Sequence, residues 1–263
     1  MSIENKIALI TGASGAVGKA IARGIALNRE FKVVMLCRDE SRARVDAEHI
    51  RKSTGNENVM YVIADVSRKE EIFRLAGSWN GPLHVLVNNA AVTPRSRQTT
   101  LEGIEMQWAT NVLGYFWMIT AFTEILKKSA PSRIVNVASY WAGGLDMEDP
   151  EFKQRRYNND SAYRQTKQAD RMLTVAFAEK LKSFNITVNS CHPGDVNSKL
   201  SNNLGFGGSE SPEKGAATPV WLATSDVVET VTGKYFEFLK QSHCEFGGNR
   251  KEIERLFEIC EQY

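Results

Sequence analysis

Cysteine is scarce in this chain of 263 residues. Cys37, Cys191, Cys244 and Cys260 lie far apart and form no CxxC pair, so the sequence carries neither a disulfide framework nor a thiolate metal cluster. Free thiols in a reducing compartment are expected. Histidine is scarcer in effect, because His49, His84, His192 and His243 show no ligand spacing and metal chemistry is not expected. No apolar run approaches the roughly 20 residues that span a bilayer. The first apolar segment starts so near the N-terminus that no signal peptide is expected, and the cytoplasm is the expected location. An excess of one charge is also missing. With 33 Lys and Arg against 31 Asp and Glu, nothing in the total argues for a nucleic-acid or membrane-surface partner. The basic pairs Arg95/Arg97 and Arg155/Arg156 read as solvated surface. No repeat, low-complexity tract or linker divides the chain, so one domain over 1–263 is expected.

What is present is alternation. Short β-branched runs at Ile7–Thr11, Lys32–Cys37, Val59–Ala64, Val85–Asn88, Arg133–Ala138, Thr187–Cys191 and Lys234–Glu237 read as strands. Helical patterns fall near 16–28, 41–53, 68–77, 101–127, 161–183 and 212–224, with a last helix after Gly248. Several strands are continuously apolar, as suits strands buried on both faces of a parallel sheet. The fold class that follows is α/β: a single-domain, Rossmann-type, doubly wound parallel sheet of about seven strands with helices on both faces. Residues 140–160 and 199–211 break the rhythm as long connections, which in compact domains are often functional.

The first strand runs into Thr11-Gly12-Ala13-Ser14-Gly15-Ala16-Val17-Gly18 and then a helix. Glycines let the backbone turn sharply and approach a pyrophosphate, to which the helix presents free N–H groups. In such folds an acidic residue about 20 positions on binds the ribose 2′-OH of NAD. Here the second strand ends Cys37-Arg38-Asp39, with no carboxylate at the closing position. Arg38 can pair with a 2′-phosphate, which favours NADP(H) over NAD(H). A small change of register would instead turn Asp39 toward the ribose. Asp65-Val66, after the third strand, can meet the adenine, although Asp65 can equally cap the next helix. Asn88-Asn89-Ala90-Ala91 closes the fourth strand at the carboxyl edge, where ligands of open α/β sheets bind.

Tyr163 and Lys167 stand at i, i+4 in one helix and so share a face. A tyrosine has an ordinary pKa of about 10 and is a poor base near neutrality. A positive charge ~4 Å away contributes about 4 kcal/mol at an effective dielectric of about 20, enough to lower that pKa by up to about three units. Lys167 is therefore expected to activate Tyr163 for proton transfer. Ser139 follows the fifth strand and Asn111 lies in the long helix after the fourth.

Taken in order, the Thr11–Gly18 loop, Asp65, Asn88-Asn89-Ala90, Asn111, Ser139, Tyr163/Lys167 and Pro193-Gly194 closely resemble the short-chain dehydrogenase/reductase family over nearly the whole chain. The resemblance implies that Tyr163 is general acid in reduction and general base in oxidation. It implies that Lys167 lowers the Tyr163 pKa and binds the nicotinamide ribose, and that Ser139 donates to the carbonyl oxygen. Asn111 would hold a water that links Lys167 to solvent. Gly12, Ser14, Gly15, Ala16, Val17, Gly18, Arg38, Asp65, Val66, Asn89 and Ala90 would contact the cofactor. Pro193, Gly194 and Val196 would lie along the nicotinamide, and Ser198 would bind its carboxamide. Ala16, Ala91 and Ser198 depart from the family's usual glycine, glycine and threonine, and none of these changes removes a chemical group from the mechanism.

Within the family the chain is most similar to the retinol-dehydrogenase-like subgroup, through Thr100-Leu101-Glu102-Gly103, Asn111-Val112-Leu113-Gly114, the long stretch from Ser139 to Tyr163, and Gly233-Lys234-Tyr235-Phe236. The expected substrate is a small, apolar carbonyl or alcohol, met by Tyr140, Trp141, Phe152, Leu204 and Phe206. Rival readings are a nonenzymatic NADP(H) sensor or scaffold, against which the full Asn111/Ser139/Tyr163/Lys167 set argues, and an epimerase or dehydratase, which the chain is short for. A homodimer is expected from the wide apolar surface of helices 101–127 and 161–183. Residues 199–211, with Gly205, Gly207 and Gly208, are expected to form a mobile lid.

Overall fold

The computed structural model describes residues 5–263. Eight strands form one sheet in the order β3-β2-β1-β4-β5-β6-β7-β8. They are β1 (Lys6–Thr11), β2 (Phe31–Cys37), β3 (Val59–Ile63), β4 (Val85–Asn88), β5 (Ser132–Val137), β6 (Ile186–His192), β7 (Tyr235–Glu237) and β8 (Lys240–Ser242). The first seven are parallel and β8 returns antiparallel to β7. The expected fold class and its seven parallel strands are therefore present; the short edge strand β8 is additional.

Alternate residues of each strand feed two cores, because successive side chains point to opposite faces. Leu9, Leu36, Leu86, Ile134 and Val188 pack with one set of helices, while Ile10, Met35, Val87, Val135 and Cys191 pack with the other. The second layer holds α1 (Ala16–Ala26), α2 (Glu40–Thr54) and α7 (Pro212–Thr224). The first holds α3 (Lys69–Gly77), α4 (Gly114–Lys128), α5 (Asn159–Leu181) and α8 (Arg250–Glu261). Strand order reverses between β1 and β4, the point at which open α/β sheets leave a crevice beyond their carboxyl ends.

Three expectations about elements need correction. The helix drawn over 101–127 begins only at Met106, with a π-helical turn over Trp108–Leu113 that runs into α4. Residues 101–105 are instead a turn and a bridge, in which Gly103 takes a positive φ and Thr99 bridges Glu105, so the apolar spacing there is not helical. The connection 199–211 is not irregular throughout: it opens with α6 (Lys199–Leu204), capped by Ser198, which accepts from Ser201 N–H. Finally, the wide apolar surface of α4 and α5 is covered within the chain. Phe257 of α8 lies 5.0 Å from Phe116 and 5.1 Å from Phe177, ring centre to ring centre. Trp108, Val112, Leu113, Ile119, Phe122, Met172, Leu173 and Ala176 are all buried. The surplus apolar width that suggested a partner subunit is thus met inside the chain, by the sheet, α3 and α8. Among the described residues, no helix is long and apolar enough to cross a membrane.

Candidate active site

A cleft of about 880 Å³ follows the carboxyl ends of the strands, from the glycine loop to α6. Its first wall is the turn between β1 and α1. Gly12 has φ +63° and sits so close to β4 that an added Cβ would lie 2.8 Å from the Ala90 Cα. Any side chain on Gly18 would run into the Gly12 carbonyl and the Asn89 amide. Asn89 ties the two strands by donating from Nδ2 to the Thr11 carbonyl at 2.9 Å, while Thr11 Oγ1 accepts from the Asn89 and Ala90 amides. Gly15 is the N-cap of α1 and brings no side chain to its first-turn amides. A close backbone approach beside uncapped amides is the cradle that a dinucleotide pyrophosphate needs, so these residues fit the cofactor. Ala16 stands at the first helical position and lines the cleft.

Beyond β2, Ser14 donates from Oγ to Cys37 Sγ at 3.0 Å. Asp39 lines this end of the cleft. Its carboxylate caps α2, accepting from the Arg42 amide at 3.1 Å and the Ser41 hydroxyl at 2.7 Å, and these bonds hold its pKa below the usual carboxylate range. Two guanidinium groups border this end. Arg38 is half-exposed and 4.0 Å from Asp65. Arg42, one turn into α2, donates to the Ser14 carbonyl at 3.1 Å. The sequence reading missed Arg42; its i+4 spacing from Arg38 was the available signal. Asp65 neither lines the cleft nor caps α3, whose N-cap is Arg68; it holds the turn after β3 by accepting from Ser67, while Ala64 and Val66 line the cleft.

At the other end, β5 delivers Ser139 and α5 delivers Tyr163 and Lys167 to the same cleft. The cap of α5 is Asn158, which accepts from Ser161 N–H at 2.9 Å and fixes where the helix starts and which residues face the cleft. Tyr163 is 8 % exposed. Burial pushes its phenol well above the usual tyrosine range, with Asp170 and Asp195 adding to the rise and the Ser139 hydrogen bond opposing it. Lys167 gives no visible help in this state, since its ammonium donates to Asp170 Oδ2 at 2.8 Å and to the Val137 carbonyl at 3.0 Å. Asn111 is fully buried and its side chain is spent on protein. It accepts from the Val92 amide at 2.9 Å and donates to the Val92 carbonyl, Gln107 and Thr166. Its backbone lies in the π-helical turn, a distortion common at functional sites.

Pro193, Gly194, Val196 and Ser198 line the wall that continues from β6. The Ser198 oxygen is engaged as the cap of α6. Of the aromatic residues expected to meet substrate, Trp141 and Phe206 line the cleft and touch each other across its mouth at 4.5 Å between ring centres. Phe152 does not reach it; it is buried against Arg155 and Tyr157. Tyr140 and Leu204 lie outside the lining, whereas Thr93, Met106 and Thr110 join it from a stretch that sequence reasoning had passed over. His192 also lines the cleft, buried with its Nδ1 unpartnered, and burial lowers its pKa to about 4.

Comparison with known proteins places this geometry. The family model described as short chain dehydrogenase matches residues 6–206. Human retinol dehydrogenase 13 is 33% identical over 260 residues, covering 91% of this chain and 78% of its own. Retinol dehydrogenase 12 of Mus musculus is 32% identical, covering 99% and 87%. Among solved structures, an uncharacterized protein from Mycobacterium Paratuberculosis superposes with a TM-score of 0.83 at 23% identity, covering 99% of this chain and 94% of its own. The Pseudomonas aeruginosa RhlG/NADP active-site complex has a TM-score of 0.71 at 25% identity, covering 88% and 94%.

Proposed function

Because this chain belongs to the short chain dehydrogenase family, we propose that it is an NADP(H)-dependent oxidoreductase interconverting a carbonyl and an alcohol on a small apolar substrate. The observation that carries this reading is the convergence of Ser139, Tyr163 and Lys167 on one cleft whose far end is a pyrophosphate cradle. When bound, the nicotinamide supplies or accepts the hydride. Tyr163 gives its phenolic proton to the carbonyl oxygen in reduction and takes a proton from the alcohol in oxidation. Ser139 donates to the same oxygen. Lys167 holds the nicotinamide ribose and tunes Tyr163. Asn111 contributes through its backbone in the π-helical turn, where a carbonyl can hold the water of a proton relay. Gly12, Ser14, Gly15, Ala16, Val17 and Gly18 hold the diphosphate, and Val66, Asn89 and Ala90 the adenosine side. Pro193, Gly194, Val196 and Ser198 border the nicotinamide.

NADP(H) is favoured over NAD(H) because the Asp39 carboxylate at the end of β2 is used as a helix cap, while the guanidinium groups of Arg38 and Arg42 border the cleft beside it. An apolar substrate is supported by Trp141 and Phe206 at the mouth and by the names of the retinol dehydrogenase relatives. A cytoplasmic location is in keeping with the absence of a long apolar helix among the described residues. Phe116 of α4 and Phe177 of α5 pack on Phe257 of α8, so a homodimer built on α4 and α5 would use the faces of these helices that α8 leaves open; sedimentation at micromolar concentration reads the mass directly. The functional test is cofactor turnover with a panel of aldehydes, ketones and alcohols, coupled to substitution of the two arginines. Arg38→Ala and Arg42→Ala are expected to weaken NADPH binding by about tenfold each and to leave NADH binding nearly unchanged. Equal losses for both cofactors would reject the 2′-phosphate assignment.

A further inference from the structure

Lys167 and Asp170 form an ion pair with side chains 2% and 0% exposed, among the most deeply buried charges in the described chain. They stand three residues apart on α5, and the ammonium reaches back to the Val137 carbonyl as its second partner. It lies 5.9 Å from the centre of the Tyr163 ring and 5.0 Å from that of Tyr115 on α4. The second carboxylate oxygen, Asp170 Oδ1, is buried without a partner. The other titratable groups facing the pair are Cys191 on β6 and Cys260 on α8, and burial pushes both thiols up. Among the described residues no other cation faces it, so the carboxylate depends on one ammonium for its compensation.

We propose that Asp170 is a positioning residue that governs the direction and effective charge of Lys167. Only the consequence for Tyr163 rests on the oxidoreductase reading. A buried ion pair is neutral from outside, so its ammonium cannot draw the phenol of Tyr163 toward ionisation. An ammonium beside a protonated carboxyl keeps its full charge and can. Burial moves the Asp170 carboxyl up to about 7 against the opposing pull of Lys167, so both states are accessible near neutrality. At higher pH the pair is closed and Lys167 is quenched; as pH falls, the carboxyl takes a proton and the ammonium is released to act on Tyr163 and on a bound ribose. Asp170→Asn fixes the released state without changing the side chain's size. Because it removes a negative charge, it lowers the proton affinity of every neighbouring group.

Two measurements test this. The first is an infrared pH titration of the cofactor-free protein. A band from a buried protonated carboxyl should appear as pH falls through neutrality, should be missing in Asp170→Asn, and should shift its midpoint upward in Lys167→Met, where the ammonium that favours the carboxylate is gone. Its absence from the wild type, its persistence in Asp170→Asn, or an unmoved midpoint in Lys167→Met would each overturn the proposal. The second is the pH profile of kcat/KM for alcohol oxidation. In Asp170→Asn a limb that lies above neutrality, where the wild-type carboxylate is charged, should move to lower pH by about one unit; a profile that stays in place there, with only the height reduced, would assign Asp170 a purely structural role. If Asp170→Asn does not fold, the wild type and Lys167→Met titrations decide. If the wild type oxidises no alcohol and reduces no carbonyl, the oxidoreductase reading fails, and the infrared titration still decides the pairing.

Discussion

At the nucleotide end of the cleft the groups that would meet a ligand are backbone amides and glycines held in place by Thr11 and Asn89. At the chemical end they are titratable side chains that oppose one another: a phenol raised by burial, an ammonium tied to Asp170, and a buried neutral imidazole. The difference follows from the two tasks. A pyrophosphate is always charged, so fixed dipoles can be built for it once and left alone. Proton transfer requires groups that change charge, and burial makes each of them sensitive to its neighbours. The first end should therefore tolerate no added atom, and the second should respond to pH and to single charges.

The largest effect is expected at the chemical end. Tyr163→Phe keeps the ring and removes the proton, so turnover should fall by about 10²–10⁴-fold while cofactor affinity is nearly intact. Single-turnover kinetics and a cofactor titration read the two quantities separately, and a chemical step at wild-type rate would sink the proton-transfer role.

His192 sharpens the contrast through stability. Burial depresses its folded pKa to about 4, with Asp195, Glu237 and Glu210 opposing that shift and Arg171 adding to it. A depressed folded pKa contributes stability that is present above the unfolded value, about 6.5, and is lost as pH falls through about 4. The loss over that window is of order 3 kcal/mol, at about 1.4 kcal/mol per unit. Denaturant unfolding from pH 7 to pH 4.5 should therefore show a smaller acid loss in His192→Asn than in the wild type. Parallel curves would mean that His192 is not held neutral.

Gly18→Ala probes the rigid end. The new methyl meets the Gly12 carbonyl and the Asn89 amide, backbone and a strand-bridging side chain that cannot easily yield. A destabilisation of about 1–3 kcal/mol is expected, together with weaker binding of both cofactors. Unchanged melting temperature and unchanged NADPH affinity would show that this end is softer than its geometry implies.

The smallest effect is expected at the mouth. Residues 140–160 are pinned: Asp149 accepts from the amides of Lys153, Gln154 and Arg155, and Glu151 accepts from the Tyr263 hydroxyl of the C-terminal helix segment. The segment containing α6 has fewer ties to the body, among them the bonds of Leu200 O to Thr93 and Asn203 O to Asn159. Phe206→Ala removes its ring contact with Trp141 and should raise KM for bulky apolar carbonyls a few-fold, about 1 kcal/mol, with cofactor affinity unchanged. Hydrogen exchange over 199–211 should slow with a substrate analogue added to the cofactor complex. If exchange and every kinetic constant stay the same, the segment is not a substrate lid.

Much of this was legible before any tertiary contact was known. Seven parallel strands were readable because strands buried on both faces are continuously apolar. Tyr163 and Lys167 were readable because helical geometry alone puts i and i+4 on one face. What was not read is that the Lys167 ammonium pairs with Asp170, although Asp170 stood in plain view three residues on. Spacing says that two side chains can meet; it does not say that both are buried, and burial decides whether the pair quenches itself. The same limit applied to the apolar face of α4 and α5, since nothing local in them announces that α8 returns from the far end of the chain to pack on Phe116 and Phe177.

What the chain determined by itself was therefore local: which segments are strands, where the backbone must be glycine, and which residues share a helix face. These depend on dihedral preferences and periodicity over a few residues. The tertiary structure alone decided that Asp39 caps a helix beside Arg38 and Arg42, that Ser198 is engaged at α6, and that Lys167 pairs with a buried Asp170. Those outcomes depend on which distant element excludes water from a given face, and the energy of a charge or a donor changes most at that boundary.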